Sequence, residues 1–476
     1  MKTRRTFTRR ALLKNVGAAG GVVLAWGGGV SAGAAPAGRN PREEILNRVL
    51  STPLIDTHEH LLEESERLRG PARPRLRSDD WSILLSHYLD SDLLVAGMPR
   101  KDLDAFLSPG LDPGAKWRLL APHWPAVKNT GYAQAVRIAV HELYGVEDLS
   151  GATVEKVQSG YEQTRRPGFY GRILRDRAKI ESCQVNCLSE PFKKSAMPAL
   201  LMQDLSIVGM FSGPDLVQYA SPPGIEVKAL SDWHRVIAWW FDTCGKYAVA
   251  VKSQNAYGRD IDYAKVPAET AEPVFRKVVQ KEPVSEAERK LLEDHLFWQA
   301  VEQATAHNLP VKLHTGYYAG QNSMPLARLQ HNPASAAELC RLSPDTRFVF
   351  MHICYPYYEE MLALAKQWSN AHVDMCWSWL INPVAAKDYL KKHIVSAPLN
   401  KVLPFGGDYI PVEPVLGHAA LARRGIAQAL GELVEESWLT LGDAVELIPA
   451  LMNGTARNLF QLRTKTEALS QVEWAK

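Results

Sequence analysis

The stretch Pro53-Leu54-Ile55-Asp56-Thr57-His58-Glu59-His60 decides how the rest of the chain is read. Its apolar start and its threonine predict a short strand that ends in polar side chains of metal-ligand type. Histidines two apart on an extended backbone project to the same side. At about 3.3 Å per residue their Cα atoms lie roughly 6.5–7 Å apart, a span that lets both imidazoles reach one ion at about 2.0–2.1 Å. By itself a His-x-His is weak, because such a pair is more often exposed or simply hydrogen-bonded. Matching residues further along the chain give it weight.

Downstream, strand and helix patterns alternate. Candidate strands are Lys179–Cys187, Leu200–Phe211, Tyr247–Gln254, Pro310–Gly316, Arg347–Ile353, Ala371–Trp377 and Lys401–Tyr409. Helical periodicity falls between most of them, at Ser231–Cys244, Ser285–His307, Pro333–Arg341, Tyr357–Ser369 and Val384–Ile394, and from Glu413 onward. The segment Leu200–Phe211 also fits a helix. With the strand at Leu54 there are eight strand–helix units, which predicts a parallel sheet closed into a (β/α)₈ TIM barrel. An open doubly wound sheet is the alternative, but no Gly-rich nucleotide loop follows the first strand.

One long interruption stands out. Residues 62–177 hold helical patterns such as Trp81–Leu93 and Tyr132–Leu143, separated by turns such as Ser108-Pro109-Gly110, and no convincing strand. They read as a large helical insertion after strand one. A short helix at Pro41–Leu50 precedes that strand.

In a closed barrel the carboxyl ends of the strands converge on one mouth. His58 and His60 end strand one, Lys252 lies near the end of strand four, His314 ends strand five, His352 ends strand six and Asp408 ends strand eight. A lone strand-end histidine is more often a satisfied core residue than a ligand. Asp408 also has an ordinary use, as a cap for the helix near Pro411–Glu413. Ligand-type residues at five matched strand ends favour a site over five separate structural roles. Trp377, Trp379 and Tyr409 fit an aromatic wall of the mouth and equally fit ordinary packing.

These residues resemble the amidohydrolase superfamily, in particular its amidohydrolase-related branch. The resemblance rests on Asp56-Thr57-His58-Glu59-His60, Lys252-Ser253 with Ala256-Tyr257-Gly258-Arg259, Lys312-Leu313-His314-Thr315-Gly316, His352 with Tyr355-Pro356, and Gly407-Asp408. It implies a divalent metal, with zinc expected, held by His58, His60, His314 and Asp408. One ion is expected, or two if Lys252 is carboxylated and bridges them. It further implies that Lys252, Tyr257 and Arg259 anchor a carboxylate-bearing small-molecule substrate. Arg259 has a competing reading as a surface ion pair with Asp260 or Asp262.

The implied reaction is hydrolysis of an amide, lactone or related bond. A divalent ion lowers the pKa of a water it binds toward about 7. Asp408 then takes that proton and hands it to the leaving group, while His352 orients the substrate carbonyl. Metal-dependent decarboxylases of the superfamily share the same residue types, and uronate isomerases are similar partly through a helical insertion after strand one, although a histidine in the place of His352 is not expected in them. An exported ligand-binding protein without turnover is the reading from a different class, since fold alone does not exclude it.

The chain begins with a targeting pattern. Two arginine pairs, with Thr8-Arg9-Arg10-Ala11-Leu12-Leu13-Lys14, look like a twin-arginine export signal. A weakly apolar, Gly-rich stretch from Val16 to Val30 comes next, and cleavage is expected after Ala32 or Ala34. The stretch is too short and too broken by glycine to cross a bilayer of about 30 Å. This division gives a signal at 1–34, recognised by the twin-arginine export machinery, and one barrel domain at 35–476, periplasmic or secreted, with no stable membrane span.

Removing six cations and no acid takes the formal net charge from +3 to −3. The basicity belongs to the signal, and no basic run interleaved with aromatics appears later, so nucleic-acid binding is excluded. The six cysteines read as small buried hydrophobes rather than a disulfide framework. A homo-oligomer is left open.

Overall fold

The computed structural model describes residues 40–70, 76–207, 210, 216–320 and 323–475. The export signal expected at 1–34 lies outside the described residues. Among the described residues no helix is long and apolar enough to cross a membrane.

Among the described residues nine strand segments carry the barrel: β1 (Leu54–Glu59), β2 (Ile180–Val185), β3 (Leu201–Gln203), β4 (Leu205–Ser206), β5 (Val251–Ser253), β6 (Val311–Leu313), β7 (Phe348–Phe350), β8 (Ala371–Asp374) and β9 (Val402–Leu403). All pairings are parallel, β1 to β3 in one run and β4 to β9 in another. The two runs meet at Asp204, which interrupts what is in effect one strand, so nine segments make the eight expected positions. Leu200–Phe211 is therefore extended from Leu201 to Ser206, and the helical alternative does not occur there.

The ring closes through backbone hydrogen bonds between β1 and the segment after β9. Thr57 N–H donates to the Phe405 carbonyl at 3.1 Å, Asp408 N–H to the His58 carbonyl at 2.8 Å, and His60 N–H to the Tyr409 carbonyl at 3.0 Å. These bonds carry the polar backbone past the last regular strand and so build the mouth itself. Past β7, β8 and β9 the chain turns out of the ladder before the apolar pattern ends. His352, Trp377 and Asp408 all take positive φ there, at 62°, 64° and 63°. Such conformations are uncommon for residues with a Cβ and cluster where a site imposes them.

Between Glu59 and Ile180 the described residues hold helices and no strand. This helical insertion docks on the barrel through the long helix Glu413–Glu435, against which its own helix Gly131–Tyr144 packs. The backbones approach so closely that a Cβ at Gly417 would overlap the Ala135 carbonyl. Arg67 anchors the same region from a fully buried position. Its guanidinium donates to Glu413 at 2.7 and 3.1 Å and to the Tyr161 hydroxyl at 3.0 Å, and Asp79 lies at 3.5 Å.

The helices expected between strands are present, with one addition at Ala268–Gln280 and one shifted start. The helix expected from Pro333 begins at Leu326 and carries Pro333 inside it. Proline reads as a helix start because it lacks an N–H, but buried packing of Leu329, Ala336 and Leu339 holds the longer helix together. No disulfide forms, and five of the six cysteines are buried, with Cys187 half-buried.

Candidate metal centre

At the end of β1 the two imidazoles stand edge to face, with ring centroids 4.7 Å apart. Both reach Asp408. His58 Nε2 lies 3.1 Å and His60 Nε2 3.3 Å from Asp408 Oδ1. The aspartate gets there because Gly406-Gly407 runs against β1. Gly407 N–H donates to Asp56 Oδ1 at 3.0 Å, and Asp408 N–H is tied to the His58 carbonyl. The ligand atoms of all three residues lie within 4.8 Å of one another, and all three are buried.

The protonation pattern tests whether this set fits a cation. A backbone carbonyl can only accept, so a ring nitrogen bonded to one must carry the proton. His60 Nδ1 lies 2.8 Å from the Asn186 carbonyl, which leaves a lone pair on Nε2. That lone pair accepts from the Gln254 amide at 3.1 Å and also lies 3.3 Å from the Asp408 carboxyl oxygen. Burial, together with the positive charges of Lys252 and Lys312, holds His58 well below the ordinary 6.5, so it is neutral. Buried acceptors that point at one another need a proton or a cation among them, and with burial raising Asp408 to about 7 either one serves. Neutral imidazoles and a carboxylate are the donor set of zinc-type ions. The residues fit the ion that the sequence implies.

A second group repeats the pattern. His314 Nε2 is bonded to the Tyr317 carbonyl at 2.9 Å, and His352 Nδ1 to the Cys376 carbonyl at 3.0 Å. The remaining nitrogens, His314 Nδ1 and His352 Nε2, face each other at 3.0 Å. Burial keeps both rings well below 6.5. His352, Cys376 and Asp408 also offer ligand atoms within 4.8 Å of one another.

The other site candidates divide. Lys252 is fully buried at the same mouth, its Nζ 2.7 Å from Met351 Sδ, and burial lowers its pKa to about 8. The Tyr257 ring packs on His314 with centroids 4.4 Å apart, and its hydroxyl accepts from Ala319 N–H at 3.1 Å. Arg259 is occupied elsewhere. Its guanidinium donates to Asp294 at 2.5 Å, Glu293 at 3.1 Å and Asp262 at 3.4 Å, and it lies over the Tyr263 ring. The structure thus gives Arg259 the ion-pair arrangement and leaves its charge already matched. Trp377 and Tyr409 stand at the mouth, 5.3 Å from His352 and 5.9 Å from His87 by ring centroids. Trp379 instead turns away, its indole N–H donating to the Pro404 carbonyl.

Several contributors were not legible in the sequence. Asn186 orients His60 through its backbone carbonyl, a role open to any residue type. Its side-chain amide is buried with no hydrogen-bond partner among the described residues. Tyr88 comes from the helical insertion, donates its hydroxyl to the Asp408 carbonyl and stacks on Trp377 at 4.7 Å. Beneath the mouth, Lys312 Nζ bonds both Asp204 oxygens at 2.9 Å and the Thr57 carbonyl at 2.8 Å. Only the alternating polarity of β6 hinted at that buried lysine.

Burial sets the acidity of the carboxylates. It raises Asp408 to about 7 and Asp374 to about 7, with hydrogen bonds from Tyr88 and Thr57 respectively acting the other way. Glu59 is pushed well above its usual range by burial and by neighbouring Asp56.

Comparison with known proteins agrees with this architecture. Residues 281–462 match the protein family described as amidohydrolase. By structure the chain is similar to uronate isomerase from Thermotoga maritima, with a TM-score of 0.69 and 14% identity over 88% of this chain and 97% of that one. It is similar to glucuronate isomerase from Caulobacter crescentus, with a TM-score of 0.69 and 16% identity over 93% and 97%. It also matches a protein described as a metal-dependent hydrolase from Lactobacillus casei, with a TM-score of 0.60 and 16% identity over 90% and 99%. Protein fluG of Emericella nidulans is 24% identical over 226 residues, 45% of this chain, and the chain spans only 26% of that relative's length. The family match covers residues 281–462, and the likeness to these solved structures shows the shared barrel fold.

Proposed function

We propose that this protein is a metal-dependent hydrolase that cleaves an amide, lactone or related bond in a small substrate, with zinc as the expected ion. The observation that carries the reading is the convergence of His58 Nε2 and His60 Nε2 on one buried oxygen of Asp408. When bound there, a divalent ion polarises the substrate carbonyl and acidifies water.

The residues supply the rest. Asp408 holds its carboxylate at the ion site and takes the proton of the attacking water, then returns it to the leaving group. Asn186 and the Gln254 amide fix the His60 ring. His352 lies at the same mouth with its Nδ1–H committed to the Cys376 carbonyl, so orienting the scissile carbonyl requires a proton on its Nε2. Lys252, the one cation at the mouth among the residues assigned to substrate, suits a carboxylate on the substrate now that Arg259 is matched by acids.

The test is a chelated and reconstituted protein assayed on amides, lactones, aromatic acids and uronates. Hydrolysis restored by zinc and lost in Asp408→Asn supports the reading. Decarboxylation of the aromatic acids, or isomerisation of the uronates, would replace it with one of the two related chemistries. Metal loading without turnover of any of them would leave a binding protein.

Export by the twin-arginine route is proposed from Arg4-Arg5 and Arg9-Arg10. Periplasmic recovery that disappears on changing Arg9-Arg10 to Lys-Lys supports it, and cytoplasmic retention of the unchanged chain overturns it.

A further inference from the structure

We propose that the floor of the barrel, on the face opposite the mouth, binds a small organic carboxylate with an apolar body, its anionic head taken by Arg175 and Lys179. The site lies outside the metal centre and does not depend on it.

A cavity of about 740 Å³ opens at the amino ends of β1 and β2. Small-molecule pockets span roughly 300–1,000 Å³, so the size is that of a ligand site. Pro53, Ile180, Ala199 and Leu462 give it apolar walls. His58 and His60 lie at the other end of β1, roughly 20 Å away at about 3.3 Å per residue. The cavity is therefore separate from the mouth.

Its charged lining does not balance. Arg175, Lys179, Arg457 and Arg463 face two acids, Glu181 and Glu467. Both acids are already matched, Glu181 by Arg457 and Glu467 by Arg463 at 3.2 Å. Lys179 Nζ donates to the Leu50 carbonyl at 3.1 Å, which uses one of its three donors and none of its charge. The Arg175 guanidinium has no hydrogen-bond or ion-pair partner among the described residues.

Behind this wall the positive charge continues. Arg423 is buried, and its guanidinium donates to the carbonyls of Val49, Thr52, Ala178 and Lys179 at 2.5, 2.7, 3.2 and 3.2 Å. Lys179 lines the cavity, and Thr52 directly precedes Pro53, which lines it too. On the helix Leu462–Leu469, another wall, Lys465 is buried with its Nζ 2.8 Å from the Gly245 carbonyl. Carbonyls satisfy these donors without cancelling their charge. Burial lowers Arg423 to about 10 and Lys465 to about 8, and no carboxylate acts against it at either residue. Buried charges are screened less than exposed ones, so both add to the field that an anion in the cavity feels.

The same residues choose the anion. A free guanidinium fork matches the two oxygens of a carboxylate. Glu181 and Glu467 repel a dianion more than a monoanion, which favours a carboxylate over a phosphate. The apolar walls call for a hydrocarbon body behind that head.

Calorimetric titration of the protein with 4-phenylbutyrate and octanoate, beside the neutral 4-phenylbutanamide, tests this. At least one of the two carboxylates is expected to bind at least about tenfold more tightly than the amide, and less tightly as salt is raised. Arg175→Ala/Lys179→Ala is expected to weaken that binding at least about tenfold. Ala199→Trp, which fills the cavity from an exposed position, is expected to abolish it. Carboxylate and amide binding alike would overturn the proposal, as would full binding in Ala199→Trp or no binding of either carboxylate. Binding that falls in Lys252→Ala and persists in Arg175→Ala/Lys179→Ala would put the carboxylate at the mouth and overturn it as well.

Discussion

Gly407 lies so close to Glu59 that a Cβ at position 407 would overlap Glu59 Oε1. The glycine that carries the chain to Asp408 is therefore matched to the glutamate between the two histidines, and the two halves of the metal centre are fitted to each other. Glu59 Oε2 in turn accepts the Tyr409 N–H at 2.6 Å, so the carboxyl lies against the residue before Asp408 and is bonded to the residue after it.

Gly407→Ala is expected to destabilise the protein by about 1–3 kcal/mol through overpacking in a core that cannot yield. Combining it with Glu59→Ala relieves the overlap, so the double variant is expected to lose less than the sum of the two single losses. Denaturant melts of the four proteins check this. Strict additivity would mean that the contact is not felt.

Arg67 and Glu413 form a buried pair linking the helical insertion to the helix after β9. Arg67→Met removes one partner and strands the Glu413 carboxylate, which costs about 3–5 kcal/mol at sites of this kind. Thermal melting is expected to show a large drop, with limited proteolysis nicking the insertion first. A melting temperature within a degree or two of the parent's would contradict this anchoring role.

Tyr88 reaches from the insertion to the Asp408 carbonyl. Tyr88→Phe keeps the stack on Trp377 and loses the hydrogen bond, an expected cost of about 1 kcal/mol. Asp408 holds a left-handed conformation at φ 63°, so loosening it is expected to lower kcat more than it raises KM. Equal kcat in the two proteins would assign Tyr88 to packing alone.

Two buried histidines set an acid limit. Burial lowers His372 and His418 from 6.5 to about 3, so both stay neutral in the folded protein while the unfolded chain protonates them. Their stabilising contribution is complete above pH 6.5 and is lost as the pH falls toward 3. The slope is about 1.4 kcal/mol per pH unit for each group. Stability measured from pH 7 to 4 is expected to fall less steeply in His372→Gln than in the parent.

Much of the fold was legible because a parallel barrel writes itself in short apolar runs. Val311-Lys312-Leu313 and Phe348-Val349-Phe350 are each flanked by helical periodicity, and their registers follow. The run from Leu201 to Ser206 was ambiguous because a short buried segment has no period of its own. Neighbouring strands hold it extended, and Asp204 breaks it in order to meet Lys312. The helix Ala268–Gln280 escaped notice through its inner Pro273, as did the true start of the helix around Pro333. In both, packing outweighs the missing N–H.

Within the site, His58, His60, His314, His352 and Asp408 were readable because their side-chain chemistry is rare at strand ends, and the structure gathers them at one mouth. Arg259 has equally suggestive chemistry, yet its charge is taken by Asp294 and Glu293. Those acids lie far along the chain, on another helix, so no local pattern could reveal them. Asn186 works through its carbonyl, which every residue has, and Cys376 through a position next to His352 that only the folded barrel creates.

The sequence by itself determined the ligand types, their order and the strand ends on which they sit, since strand periodicity and side-chain chemistry are local properties. Tertiary structure decided which nitrogens carry protons, which cation is already matched and which insertion tyrosine reaches Asp408. Except at His314, whose partner Tyr317 is three residues on, each of these depends on a partner brought in from tens or hundreds of residues away. In a water-poor interior, that partner settles whether a polar group is satisfied or left to bind something else.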